Sequence, residues 1–307
     1  MAKKIVFMGT PMFAVPILKS LYQNGYPISD VYTQPPQKSQ RGQKINKSPI
    51  QGIAETLNLD FRTPKYLKDN NDEYEYFKSI DADLAIVVAY GQIIPKNFLG
   101  LTKKGFINIH ASLLPKWRGA APIQRAIMNE DKEIGVIIMK IEEKLDTGPI
   151  LATSKFDLDK NLTHGEIEKK LSFLGADLLV ESLKNIKNED LKLINQDNLN
   201  ATYAKKIDKK ETKINWHLDS NKVLAHIHAL SPNPGAWFEY EKERFKILKA
   251  KVSTDRGKPS LVLDKNLTIG CKTDSIQILE LQRQGKNKQT YKEFLKGKKI
   301  NKGSILS

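Results

Sequence analysis

Over the first two-thirds of this chain, short runs that are apolar at every position alternate with stretches whose apolar residues recur every three or four positions. Lys4 to Met8 is a short β-type run, apolar from Ile5 onward, stopped by Gly9-Thr10-Pro11. Phe13, Ile17, Leu18 and Leu21 then mark one face of a helix that Gly25 closes. Ile28 to Thr33 predicts a second strand, and a turn-rich stretch from Gln34 to Pro49 follows, with prolines at 35, 36 and 49. Leu84 to Ala89 is apolar throughout, as in a strand covered on both faces. Phe106 to His110 and Gly135 to Ile141 predict further strands, with a helix from Pro122 to Met128 between them. Thr163 and Glu166 make a capping box for a helix whose buried stripe is Ile167, Leu171, Leu174, Leu178, Leu179 and Leu183.

This alternation predicts an α/β domain over residues 1–190: an open, mostly parallel, Rossmann-like sheet with helices on both faces. The apolar period then fades into an Asn- and Lys-rich connector, placing a linker at 191–207. Residues 208–307 read differently. One helical stretch, 221–230, precedes short strands at 236–240, 244–252, 261–263, 267–271 and 275–281, the pattern of a small OB-like β-barrel.

Composition adds limits. A chain of 307 residues that is 40% hydrophobic can bury two ordinary cores. The single cysteine, Cys271, has no partner for an internal disulfide and no Cys or His cluster around it for a metal, which fits a reducing compartment. The apolar run after Lys4 is too short for a signal sequence or a membrane span, so a soluble, cytoplasmic protein is expected. The net charge of +15 is uneven: the first 196 residues carry 27 basic against 23 acidic side chains, those from Asp197 onward 23 against 12. A basic C-terminal third suits a polyanion such as RNA, and equally a lysine-rich solvated surface.

The chemistry concentrates after the strand 106–110. Asn108 and His110 are two apart, so they leave one face of the sheet at its C-terminal end, where open α/β sheets bind ligands, while Ile107 and Ile109 face a helix. A histidine there can move a proton, and an asparagine can donate to a developing oxyanion. A buried histidine satisfied by a backbone carbonyl would show the same spacing. Asp146, in the turn Lys144-Leu145-Asp146-Thr147-Gly148-Pro149 past the next strand, is expected at the same end of the sheet, where its carboxylate would fix the imidazole tautomer.

The run Asn108 to Gln124, with Leu145 to Gly148, resembles the 10-formyltetrahydrofolate-dependent formyltransferases. The likeness extends from Phe7-Met8-Gly9-Thr10-Pro11-Met12-Phe13-Ala14 through Val88-Ala89-Tyr90-Gly91-Gln92-Ile93-Ile94-Pro95 to Ser231-Pro232-Asn233-Pro234-Gly235-Ala236-Trp237. It implies a catalytic group of Asn108, His110 and Asp146. It also implies a folate-binding segment at Ser112, Leu113, Leu114 and Pro115, and a pterin pocket lined near Gln92, Ile93 and Ile94. The formyl donor would be 10-formyltetrahydrofolate, with no metal. Within the family, the continuation Trp117 to Gln124 resembles the members that formylate initiator methionyl-tRNA, and a monomer is expected.

The loop 34–49 carries Lys38, Arg41, Lys44 and Lys47 and no acid. It reads as a solvated turn or, as the resemblance implies, as a tRNA-contacting element; Gln43 stands where family members often have a cation. A sugar-nucleotide formyltransferase or a formyltetrahydrofolate hydrolase would share the central motif. A nicotinamide enzyme is disfavoured, because Gly9 to Ala14 lacks the further glycines of a dinucleotide fingerprint. His226-x-His228 has no carboxylate or cysteine at ligand spacing and reads as packing.

Overall fold

The computed structural model describes residues 4–39, 44–187 and 192–307. In chain order, the first half holds β1 (Ile5–Gly9), α1 (Val15–Gln23), β2 (Ile28–Tyr32), β3 (Gln37–Ser39), β4 (Lys44–Asn46), α2 (Pro49–Thr56), β5 (Phe61–Arg62), α3 (Asn71–Ser79) and β6 (Leu84–Val88). Next come α4 (Lys96–Leu99), β7 (Phe106–His110), β8 (Arg118–Gly119), α5 (Pro122–Met128), β9 (Glu133–Lys140), β10 (Ile150–Asp157) and α6 (His164–Lys187). The remainder is β11 (Tyr203–Ala204), α7 (Ser220–Leu230), β12 (Ala236–Tyr240), β13 (Glu243–Ser253), β14 (Thr268–Gly270), β15 (Ser275–Arg283), β16 (Lys288–Thr290) and α8 (Tyr291–Gly297).

By contact the chain divides into two compact units, 1–118 with 135–155 and 168–203, and 119–134 with 156–167 and 204–307. The first is built on a seven-stranded sheet in the order β10-β9-β7-β6-β1-β2-β5. Strands β5, β2, β1, β6 and β7 run parallel to one another, and β9 runs antiparallel to β7. The all-apolar strands β1 and β6 are buried at every residue, as their composition requires. Phe77 of α3 stacks on Phe106 of β7 at 5.7 Å and meets Tyr32 and Phe98 at 5.6 and 5.5 Å, anchoring one side of the sheet. On the other side, Gly175 lets α6 come close: a β-carbon there would stand 3.2 Å from Ile109 and 3.4 Å from Val136. Gly9 is fixed by packing too, since a β-carbon would lie 2.9 Å from that of Ala14.

The stretch 34–49 is not all turn. Its described residues form the antiparallel pair β3 and β4. Helices α2 and α3 and strands β5 and β10 have no counterpart among the expected elements, because α3 is mostly polar and β10 is only half covered.

The second unit contains the expected small barrel, together with residues 119–134 and 156–167 that the sequence pattern assigns to the first domain. Strands β12, β13, β15 and β14 are adjacent in that order, with β16 beside β15. Backbone bonds close the ring: Val262 bridges Ile269, Val262 N–H donates to Ser304, Leu306 N–H to Ser260, and Ser307 exchanges bonds with Glu239. The expected strand 261–263 is therefore a pair of single bridges at a barrel seam. Phe238 and Phe245 stack at 5.4 Å inside, sealed by Val223, Leu224, Ile227 and Leu230 of α7. His226 bonds the Glu211 carbonyl at 2.6 Å, and His228 bonds the Lys160 carbonyl at 3.0 Å while accepting from Ala250 N–H. Both therefore pack rather than ligate. Among the described residues no helix is long and apolar enough to cross a membrane, and no three His, Cys, Asp or Glu side chains converge as metal ligands.

Burial lowers the pKa of His164 to about 4, and those of His226 and His228 shift downward for the same leading reason. A depressed folded-state value means that the unfolded chain takes up protons first as pH falls. Stability should thus be complete above about pH 6.5 and decline towards pH 4. Urea midpoints measured at pH 7.5, 6 and 5 should fall in that order, and His164→Phe should flatten the slope. An equal slope in the variant would remove His164 from the account.

Candidate functional site

The order of the parallel strands reverses between β1 and β6, so the loops leaving β1, β6 and β7 border the crevice at the carboxyl edge. Thr10 Oγ1 donates to the Tyr90 carbonyl at 2.7 Å and accepts from Gln34 N–H, and Gln34 Nε2 also reaches that carbonyl. The roots of the β1, β2 and β6 loops are thereby tied together at one edge. The β3–β4 hairpin with its lysines grows from the same knot.

Asn108 and His110 lie on β7 with Asn108 level with Val87 of β6, so both occupy the carboxyl half of the strand. His110 is buried. Its Nε2 lies 3.1 Å from the Trp117 carbonyl, and a carbonyl only accepts, so Nε2 carries a proton. Its Nδ1 lies 3.9 Å from Asp146 Oδ2, with the two side chains 8% and 10% exposed. That separation is an ion-pair distance rather than a hydrogen bond. Nε2 is thus engaged by a backbone carbonyl, while Nδ1 faces the carboxylate without a direct hydrogen bond to it. Asn108 is half-buried.

Asp146 does not arrive as the sequence suggests. Because β9 is antiparallel to β7, its end lies beside the start of β7, where Ile141 N–H donates to Phe106 at 2.8 Å. His110 is at the other end of that strand. The loop 142–149 must therefore fold back along the sheet to deliver the carboxylate. Two left-handed residues frame the result, Trp117 at φ 64° and Asp146 at φ 52°. Such a conformation costs an L-residue roughly 1–2 kcal/mol, so it persists only where surrounding bonds hold it. Gly148 is required beside it, since a β-carbon would collide with the Lys140 carbonyl.

The expected folate segment forms the turn after β7. Ser112 is buried and donates to the Lys116 carbonyl at 2.8 Å, so its hydroxyl shapes the turn. Leu114 is buried with Ile137 and Met139, Leu113 is half-buried, and Pro115 accepts from Thr202 N–H at 3.2 Å. On the β6 loop, Gln92 spends its side-chain amide on Leu67 N–H and the Pro64 carbonyl. Ile94 is buried, and Ile93 is 86% exposed. With Met12 on the β1 loop also exposed, this edge offers apolar surface and backbone groups suited to a planar ring.

Of the loop cations, Lys38 and Lys44 fall on β3 and β4, and Arg41 lies outside the described residues. Lys47 is already paired with Glu55 at 2.9 Å. Sequence reasoning missed Gln196, whose amide donates to the carbonyls of Asp146 and Gly148 at 3.0 and 2.8 Å. It stands in a polar segment with no periodicity to mark it.

The family model described as "Formyl transferase" matches residues 3–183, and "Formyl transferase, C-terminal domain" matches 206–299. A methionyl-tRNA formyltransferase of Pelagibacter ubique is 56% identical over 308 residues, covering all of this chain and 99% of the relative. One from a Chelativorans species is 43% identical over the whole of both chains. Among solved structures, an N-formyltransferase from Helicobacter canadensis in complex with folinic acid and dTDP-3-aminofucose aligns with TM-score 0.69. It is 20% identical and covers 92% of this chain and 100% of the other, a likeness of fold.

With a fixed carbonyl opposite Nε2, ¹⁵N NMR of the His110 ring should show Nε2 protonated at neutral pH. A dominant Nδ1–H neutral tautomer would contradict the geometry.

Proposed function

The chain belongs to the formyl transferase family, and from that membership we propose that it transfers the formyl group of 10-formyltetrahydrofolate to the α-amine of initiator methionyl-tRNA. The observation that carries the acceptor is the identity of 56% with a methionyl-tRNA formyltransferase along the entire chain. The charge distribution agrees, with 23 basic against 12 acidic side chains from Asp197 onward. Residues 1–190 serve as the catalytic domain and 208–307 as the basic tRNA-binding barrel in this reading.

The folate supplies an activated formyl amide, and Ile93, Ile94, the backbone at Gln92 and the turn Ser112 to Pro115 border its place. As the α-amine of the aminoacyl group attacks the formyl carbon, negative charge gathers on the formyl oxygen. The Asn108 amide and the Nδ1–H of a protonated His110, which lies too far from Asp146 for a direct hydrogen bond, are the donors on that face of β7. Asp146 orients the ring and takes part in moving the amine proton to the departing folate nitrogen as the carbon–nitrogen bond breaks. The near-complete burial of His110 and Asp146 strengthens these interactions by excluding water.

Purified protein should convert methionyl-tRNA and 10-formyltetrahydrofolate to N-formylmethionyl-tRNA. Formate release without acceptor, or formylation of an amino-sugar nucleotide in place of the tRNA, would overturn the assignment. His110→Ala and Asp146→Ala should each lower turnover by at least about 10²-fold with an unchanged circular dichroism spectrum. Near-normal turnover in either variant would remove that residue from the catalytic group.

The β3–β4 hairpin is the tRNA-contacting element in this reading, with Arg41, Lys38, Lys44 and, once released from Glu55, Lys47 facing phosphates. Arg41→Ala should leave folate titration unchanged, lower kcat/KM for the tRNA, and reduce the salt slope of tRNA binding by about one unit. An unaltered slope and kcat/KM would return the hairpin to an ordinary solvated turn.

A further inference from the structure

The amide of Gln196 makes every hydrogen bond it can. Its Oε1 accepts from Arg118 Nε at 3.1 Å and from Arg118 Nη2 at 2.8 Å. Its Nε2 donates to the carbonyls of Asp146 and Gly148 at 3.0 and 2.8 Å. The backbone sets this up, because Ile150 and Ile194 exchange hydrogen bonds at 2.8 and 2.9 Å, which brings position 196 level with 148. Arg118 is itself buried at 2% exposure and also donates to Asn198 Oδ1 at 2.8 Å. It directly follows Trp117, whose carbonyl holds His110 Nε2.

One amide thus spans the two parts of the site. Through Arg118 it touches the turn that fixes the imidazole. Through its own N–H groups it grips the loop that must fold back to present Asp146. The loop needs such a grip, since Asp146 holds a left-handed conformation and lies 3.9 Å from the ring. We propose that Gln196 is a positioning residue for the formyl transfer, acting by clamping the Asp146 loop so that the carboxylate stays against His110. This rests on the reading of Asp146 as a member of the catalytic group.

The amide chemistry allows a discriminating substitution. Gln196→Glu keeps an acceptor for Arg118 and removes both donors to the loop, setting a carboxylate against two carbonyls. Gln196→Met keeps the volume and removes all four bonds. If the side chain served only to satisfy Arg118, the Glu variant would work normally and the Met variant would not. If it clamps the loop, both lose turnover. We expect kcat to fall by about 10- to 100-fold in each, the scale of a misplaced catalytic group, with KM for methionyl-tRNA and the affinity for a folate analogue within about twofold of wild type.

A double-mutant cycle with Asp146→Asn completes the test. Adding Gln196→Glu to Asp146→Asn should cost little further, because the loop then has no carboxylate to place. Melting curves on every variant confirm that the chains fold, and if the Glu variant melts below the assay temperature the Met variant carries the cycle. Wild-type kcat in Gln196→Glu, or fully multiplicative losses in the double variant, would overturn the clamp. Normal turnover in Asp146→Asn alone would instead sink the catalytic reading, whatever Gln196 does.

Discussion

The site depends on a loop that runs against the direction of the sheet. Four parallel pairings bring β7 to its carboxyl edge with His110 at the tip, and β9 then returns antiparallel. A carboxylate that follows β9 in sequence therefore starts beside Phe106, at the far end of β7. Only the fold-back of 142–149, with Gly148 pressed against Lys140 and Gln196 bonded to two of its carbonyls, carries Asp146 to the imidazole.

Around that loop the site is held by dipoles and by one buried cation, Arg118. The Trp117 carbonyl fixes one nitrogen of His110, the Ser112 hydroxyl closes the turn, and the Gln196 amide holds the loop. Such groups keep their orientation without the desolvation cost that further buried ions would bring. Charged pairs also lie away from the loop: Arg62 of β5 with Glu73 of α3, and Arg125 with Glu211 and Lys298 with Glu243 in the second unit. The knot of Thr10, Gln34 and Tyr90 ties the roots of the β1, β2 and β6 loops together at the sheet edge that also carries the histidine.

Legibility followed burial. β1 and β6 are covered on both faces, so their uninterrupted apolar letters mark their places within a residue, and in β7 the apolar Phe106, Ile107 and Ile109 do the same around Asn108 and His110. The capping box of Thr163 and Glu166 marked the start of α6 and is made in the structure. The polar α3, the half-covered β10 and the two-residue β5 bury too little to imprint a period on their letters. The apolar letters of 261–263 predict a strand, yet the segment closes a barrel seam through single bridges.

What the sequence determined by itself was the set of buried strands, the two kinds of architecture, and the placing of Asn108 and His110 on one face of β7. Those follow from side-chain periodicity and from motif letters, which are local properties. Only the tertiary structure decided that β9 turns back, that the loop after it must cross the sheet, and that a glutamine fifty residues beyond Asp146 holds it there. Strand direction and long-range hydrogen bonds depend on which segments pair, and pairing between distant residues leaves no periodic trace in either one.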